Sequence, residues 1–244
     1  MNILGIIPAR GGSKGIPLKN LQKVAGKPLI EYTISSAKNS KKISRLIVST
    51  DNEKIANVSK KLGAEVPFLR PKKFATDKSS QLDVIKHTLD FLKNEENYTP
   101  DIITILHPTN PLRKTTKIDK SINMLIKSKA DIVLGVVKVK THPFRSFWNH
   151  EGLLKPFKKD FLKFYQRQLY PPLFYPMGDI YTFWYNTYKK YGVIYGPKIK
   201  PLFNEKNEIV LDIDNYFDLF LVEKTILELN KLNNKVGKIN KIGP

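Results

Sequence analysis

Apolar positions recur along the chain in two rhythms, one short and continuous, the other helical. Asn2–Pro8 is an apolar run closed by proline and followed by glycines, the mark of a buried strand. Leu29–Lys38 has helical spacing, Leu46–Ser49 is a second apolar run, and Asp51–Leu62 sets Ile55, Val58 and Leu62 on one helical face. A short strand is expected over Val66–Leu69. Ser80 and Asp83 have capping-box spacing ahead of an amphipathic stretch through Leu82, Ile85, Leu89 and Leu92. Asp101–Leu106 reads as a buried strand, Thr116 with Asp119 as the cap of a helix reaching about Lys129, and Ile132–Val139 as a further strand. Strands alternating with helices predict an α/β fold, a parallel sheet with helices on both faces.

The rhythm breaks between 141 and 176, where Phe144, Phe147, Trp148, Phe157, Phe161, Phe164, Tyr165 and Tyr170 crowd among prolines. This stretch is expected to leave the sheet, as a small subdomain or a dimer contact. Strands are expected again at Asp179–Tyr185 and Glu208–Asp214, then a helix from about Asn215 to Leu232 and a frayed tail over 233–244. With no repeat and no long linker, residues 1–244 are expected to form one domain.

Composition narrows the classes. The 244 residues are 41% hydrophobic, enough for a real core, and contain no cysteine, which excludes a disulfide scaffold and a thiolate metal site. There is no run of about 18 apolar residues to cross a membrane. The N-terminus has no basic stretch ahead of its apolar run, so a cytoplasmic setting is expected. The net charge is +20, which invites a nucleic-acid reading. However, only Arg10, Arg45, Arg70, Arg113, Arg145 and Arg167 are arginines, and the lysines are scattered rather than set on one element among aromatics. That pattern favours small anionic substrates over a basic nucleic-acid-binding module, and makes the few arginines informative as bidentate phosphate or carboxylate ligands.

The densest chemistry is Pro8-Ala9-Arg10-Gly11-Gly12-Ser13-Lys14-Gly15, continuing to Lys19-Asn20. It follows the first strand and so falls at the carboxyl edge of the sheet, where open α/β folds bind ligands. Glycines that expose backbone N–H groups beside three cations suit a triphosphate. Neither GxxxxGK[ST] nor G-x-G-x-x-G is present. Asp212 and Asp214, two apart at the end of an expected strand, would share one face and suit Mg²⁺ together with phosphate oxygens. The weaker alternative is that Asp214 stabilises a helix N-terminus.

These segments, with Val48-Ser49-Thr50-Asp51, Leu69-Arg70-Pro71, Ser79-Ser80, Pro108-Thr109-Asn110-Pro111-Leu112-Arg113 and Asp212-Ile213-Asp214 ahead of Asp218, resemble in order and spacing the CMP-N-acylneuraminate synthetases, the nonulosonate cytidylyltransferases. The resemblance implies a mixed, mostly parallel, Rossmann-like sheet of the nucleotide-diphospho-sugar transferase kind, with an excursion that builds a homodimer. It implies transfer of CMP from CTP to the anomeric hydroxyl of a 3-deoxy-2-ulosonic acid. Arg10, Lys14 and Lys19, with Gly11, Gly12, Ser13 and Asn20, would hold the triphosphate. Arg70, Ser79 and Ser80 would contact the nucleotide, although Ser80 is also a good helix cap. Lys19, Asp212 and Asp214 would be catalytic, the two aspartates holding Mg²⁺. His107, Arg167, Gln168 and Asp179 would face the acidic sugar. His142, at the start of the excursion, fits a structural role better than a general base. Departures from the family pattern, at His107, Asn110 and Met177-Gly178-Asp179, fall on the sugar side. They leave the acceptor open among N-acetylneuraminate, legionaminate, pseudaminate and 3-deoxy-manno-octulosonate, and the base as well.

Overall fold

The computed structural model describes residues 1–159, 163, 166–206 and 208–239. In chain order the strands are β1 (Ile3–Pro8), β2 (Lys23–Val24), β3 (Lys27–Pro28), β4 (Arg45–Ser49), β5 (Ile102–Leu106), β6 (Ile132–Lys138), β7 (Phe147–His150), β8 (Leu153–Pro156), β9 (Phe174–Trp184) and β10 (Ile199–Phe203). The helices are α1 (Leu29–Lys38), α2 (Glu53–Lys61), α3 (Gln81–Glu96), α4 (Thr115–Lys127), α5 (Tyr185–Tyr191) and α6 (Tyr216–Ile239). Six strands form the main sheet in the order β10-β6-β9-β5-β1-β4. Pairs β1–β4, β1–β5 and β10–β6 are parallel, while β9 runs antiparallel to both β5 and β6.

Strand alternation divides the core. Ile3 and Ile7 of β1 point to the face covered by α1, α2 and α4, with Ile30, Ile34, Ile55, Ile118 and Ile122. Leu4 and Ile6 point to the other face, against Ile85, Leu89 and Leu92 of α3 and against Phe183. Burial on both faces is why β1, β4 and β5 read as unbroken apolar runs. A third cluster, Ile16, Val24, Leu29, Ile213, Val222 and Ile226, glues α6 beside the glycine-rich turn.

Several expectations shift. Val66–Leu69 makes a single isolated bridge, Leu69 with Thr50, and another, Glu65 with Ile47, just precedes it. Helix α2 starts at Glu53, two residues later than expected, with Asn52 as its cap, accepting from the N–H groups of Lys54 and Ile55. Likewise α4 begins at Thr115 without a side-chain cap, because Asp119 instead accepts from Ser40 Oγ and Lys41 N. Glu208–Asp214 is irregular; the edge strand is Ile199–Phe203, whose exposed, lysine-bearing residues hid it from a search for apolar runs. Helix α6 continues through the expected tail to Ile239. The aromatic excursion contains the hairpin β7–β8 and ends earlier than expected, at Phe174. Phe161, Phe164, Tyr165 and the last five residues lie outside the described residues.

Candidate active site

The turn after β1 lies at the carboxyl edge of the sheet, and a cleft of about 440 Å³ opens over it. Arg10, Ser13, Lys14, Gly15, Lys19 and Asn20 line one side, Arg70, Ser79, Ser80 and Gln81 the second, and His107, Pro108, Thr109 and Asp214 the third. Four sequence segments far apart in the chain are therefore brought together.

Local bonds shape the turn. Gly11 N donates to Asp51 Oδ1 (2.9 Å), so one N–H expected to face phosphate is spent inside the protein. Gly11 and Gly12 also stand outside the cleft lining. Buried Asn20 donates through Nδ2 to the Arg10 carbonyl (3.1 Å) and thus shapes the turn that carries Arg10. Gly15 is required by close approach: a Cβ there would lie 2.2 Å from the Asp214 carbonyl oxygen. The missing side chain lets the cationic turn pack against the Asp212-Ile213-Asp214 segment.

That segment is fixed from both sides although it is not a strand. Ile213 N donates to Thr109 O (3.0 Å), and Lys19 Nζ donates to the Ile213 carbonyl and stands 3.7 Å from Asp214 Oδ1. Asn215 Oδ1 accepts from Phe217 N and Asp218 N, while Asp218 Oδ2 accepts from Asp214 N and Asn215 N, which starts α6. The strand alternation that was to aim both aspartates the same way is therefore absent. Asp214 lines the cleft, whereas Asp212 is not part of its lining. Desolvation raises the Asp212 pKa above the usual carboxylate range, against a lowering hydrogen bond from Thr109. Among the described residues no cluster of three metal-ligating side chains occurs. Two carboxylates beside a cation-lined turn nevertheless have the chemistry that Mg²⁺ takes, a few hard protein oxygens completed by other oxygen ligands.

On the second side, buried Arg70 has Nη2 3.8 Å from Asp51 Oδ1. Burial lowers its pKa, the Asp51 charge works against that, and Arg10 adds to it. Both expected serine contacts have local duties. Ser79 Oγ donates to Lys73 O (3.0 Å) and accepts from Thr76 N (3.0 Å). Ser80 caps α3 in the expected capping box with Asp83.

On the third side, Gln81 Nε2 lies 3.2 Å from His107 Nε2. Burial, reinforced by Arg113, pushes the His107 imidazole down to about 4. Buried Arg113 donates to the carbonyls of His107 (2.9 Å) and Asp179 and to Thr33 Oγ1 (2.8 Å), tying the end of β5 to the middle of β9. Asp179 is 1% exposed and absent from the cleft lining. Its Oδ2 is 2.8 Å from Lys117 Nζ, which also meets Glu208 Oε1 at 2.9 Å. The expected sugar contact Asp179 therefore sits in a buried ion pair, outside the cleft lining. Arg167 and Gln168 belong to a short 3₁₀ turn away from this cleft lining; Gln168 is exposed and the Arg167 side chain lies outside the described residues. His142 stacks on Tyr170 at 4.8 Å and its Nε2 lies 3.1 Å from Pro171 O, a structural setting.

Sequence reasoning gave no role to Asp51, Asp77, Gln81 or Lys117. A polar residue directly after a buried run, as at Asp51, is the signal that could have found the first. The partners of Lys117 lie too far along the chain for any local pattern to show.

A mixed six-stranded sheet with a cation-lined glycine turn at its carboxyl edge defines a nucleotide-handling α/β enzyme. The chain belongs to the cytidylyltransferase family, whose model matches residues 4–201. It is 34% identical over 95% of its length to the CMP-N,N'-diacetyllegionaminic acid synthase of Legionella pneumophila, covering 98% of that protein. It is also 34% identical to a pseudaminic acid cytidylyltransferase of Campylobacter jejuni, over 62% of this chain and 65% of that one. The fold matches the CTP complex of a CMP:2-keto-3-deoxy-manno-octonic acid synthetase with TM-score 0.69 at 14% identity, covering 93% and 99% of the two chains.

Proposed function

We propose that the protein transfers CMP from CTP to the anomeric hydroxyl of a nonulosonate, a 3-deoxy-2-ulosonic acid. The hydroxyl oxygen attacks the α-phosphorus, the bond to the β-phosphate breaks, and pyrophosphate leaves. Such a reaction needs positioning and charge neutralisation more than covalent help from the protein. Arg10, Lys14 and Lys19 bind the triphosphate. Ser13 and Asn20 orient it, and Arg70, Ser79 and Ser80 contact the nucleotide from the second wall. Asp212 and Asp214 would hold Mg²⁺, which supplies charge neutralisation on the polyphosphate when bound. The proton of the attacking hydroxyl passes to a carboxylate of this pair.

His107 faces the sugar as a neutral imidazole. Arg167 and Gln168 reach the sugar carboxylate from the excursion of a second copy in a homodimer. Exposed Trp148, Leu153 and Leu154 on the β7–β8 hairpin support that interface. Among the described residues no helix is long and apolar enough to cross a membrane.

The observation that carries the proposal is one cleft in which Arg10, Lys14 and Lys19 face Asp214, in a chain of this family. Its test is pyrophosphate release with each nucleoside triphosphate, across legionaminate, pseudaminate, N-acetylneuraminate and 3-deoxy-manno-octulosonate, with and without a chelator. Release is expected with CTP and a nonulosonate and should stop on chelation. Release only with another nucleotide, or chelator-insensitive release, contradicts the proposal. Light scattering at micromolar protein should give the mass of a dimer.

A further inference from the structure

The cations that the proposed function gives to the triphosphate already hold an anion supplied by the chain itself. Arg10 Nη1 is 2.8 Å from Asp77 Oδ1, and Lys14 Nζ is 3.2 Å from Asp77 Oδ2. One carboxylate thus bridges both cations with its two oxygens, as two oxygens of a phosphate would. Lys14, and then Arg10, hold the Asp77 carboxyl below the usual carboxylate range.

Asp77 belongs to no regular element. It projects from the turn between Phe74 and Gln81, which Ser79 braces through Lys73 O and Thr76 N. The turn is anchored at its far end by the Ser80–Asp83 capping box of α3. Thr76, Asp77, Ser79, Ser80 and Gln81 all line the same cleft as the glycine-rich turn. The arm is therefore short and braced at its base, with the carboxylate at its tip laid across the cleft. Both ion pairs are solvent-exposed, with the Asp77 side chain 45% and the Lys14 side chain 77% accessible, so the contact is weak enough to exchange.

We propose that Asp77 is an intramolecular competitor for the phosphate subsite. It occupies Arg10 and Lys14 in the ligand-free protein, withdraws when a polyphosphate binds, and returns as pyrophosphate leaves. The inference rests on reading the cleft as a triphosphate site. It gives the carboxylate two effects, weaker polyphosphate binding and easier pyrophosphate departure, while keeping two flexible cations aimed into the cleft between turnovers.

The test is calorimetric titration of the full chain with inorganic pyrophosphate, and separately with CTP, for the wild type, Asp77→Asn and Asp77→Glu. Circular dichroism shows that each variant is folded. Loss of two exposed ion pairs should tighten pyrophosphate binding in Asp77→Asn by roughly threefold to tenfold. Asp77→Glu should stay near the wild type, and Arg10→Ala in the Asp77→Asn background should erase the gain. If the wild type binds pyrophosphate and Asp77→Asn binds it equally or more weakly, the competitor is overturned while the triphosphate reading stands. If neither ligand binds any folded form, both fall.

Discussion

Lys19 is built tightly into the cleft, with 14% of its side chain exposed and its Nζ shared between the Ile213 carbonyl and Asp214. It stands where charge from the turn meets the aspartate segment, so its loss removes a preorganised positive charge from the proposed phosphate site. Lys19→Met should lower kcat by roughly 10²–10³, with CTP affinity falling much less. Steady-state kinetics beside a direct CTP titration check this. His107 makes a prediction of another kind. A histidine in the unfolded chain takes up its proton near 6.5, whereas the folded imidazole resists until about 4. The unfolded state therefore binds more protons in that window, and the stability due to the neutral ring is complete above about 6.5 and lost as the pH falls towards 4. His107→Gln removes that titration. Thermal unfolding at pH 7.5 and pH 5 should show a larger fall for the wild type than for the variant.

At the scale of elements, the join between β6 and β9 is a set of mutually dependent residues. The register slips between Leu134 and Val136, and a Cβ on Gly135 would lie 2.1 Å from Asp179 Oδ1. The glycine makes room for a carboxylate that is paired with Lys117 on α4, which in turn pairs with Glu208 beyond β10. Gly135→Ala should destabilise by about 1–3 kcal/mol through overpacking. Most of that cost should vanish in the Asp179→Ala background, a coupling that chemical denaturation of the four proteins in the cycle measures.

The same elements show what a sequence can reveal. β1, β4 and β5 are buried on both faces, so their apolar runs stand out, and the capping box of α3 is a local pattern read directly. β10 is an edge strand with exposed, lysine-bearing residues and carries no such mark. The Asp212-Ile213-Asp214 segment looks like a strand because it is short and apolar at Ile213, yet Ile213 is buried by α6 and the Thr109 backbone instead of by a sheet neighbour. The Gly-rich turn was legible because its chemistry is contiguous. The ion pairing of Asp179 was not legible because Lys117, and the Glu208 that shares it, lie at other places in the chain.

At the scale of the whole molecule, a net charge of +20 surrounds a cleft whose proposed substrates are both anions. Long-range attraction should raise their encounter rate and should be screened by salt. Accordingly kcat/KM should fall steadily between about 20 mM and 300 mM salt at constant Mg²⁺, with kcat changing little; a profile carried wholly by kcat would contradict this. The charge itself pointed only to an anionic partner. The ordered motifs, the sheet that gathers them at one edge, and the match over residues 4–201 reduce that to nucleotidyl transfer. Pyrophosphate release with CTP and a nonulosonate panel, comparing the wild type with Asp214→Asn, is the decisive measurement. Mg²⁺-dependent release with CTP and at least one nonulosonate is expected, and its collapse in the folded variant. Folded wild-type protein that releases no pyrophosphate with any of these acids, or an Asp214→Asn variant that turns over as fast as the wild type, would contradict it.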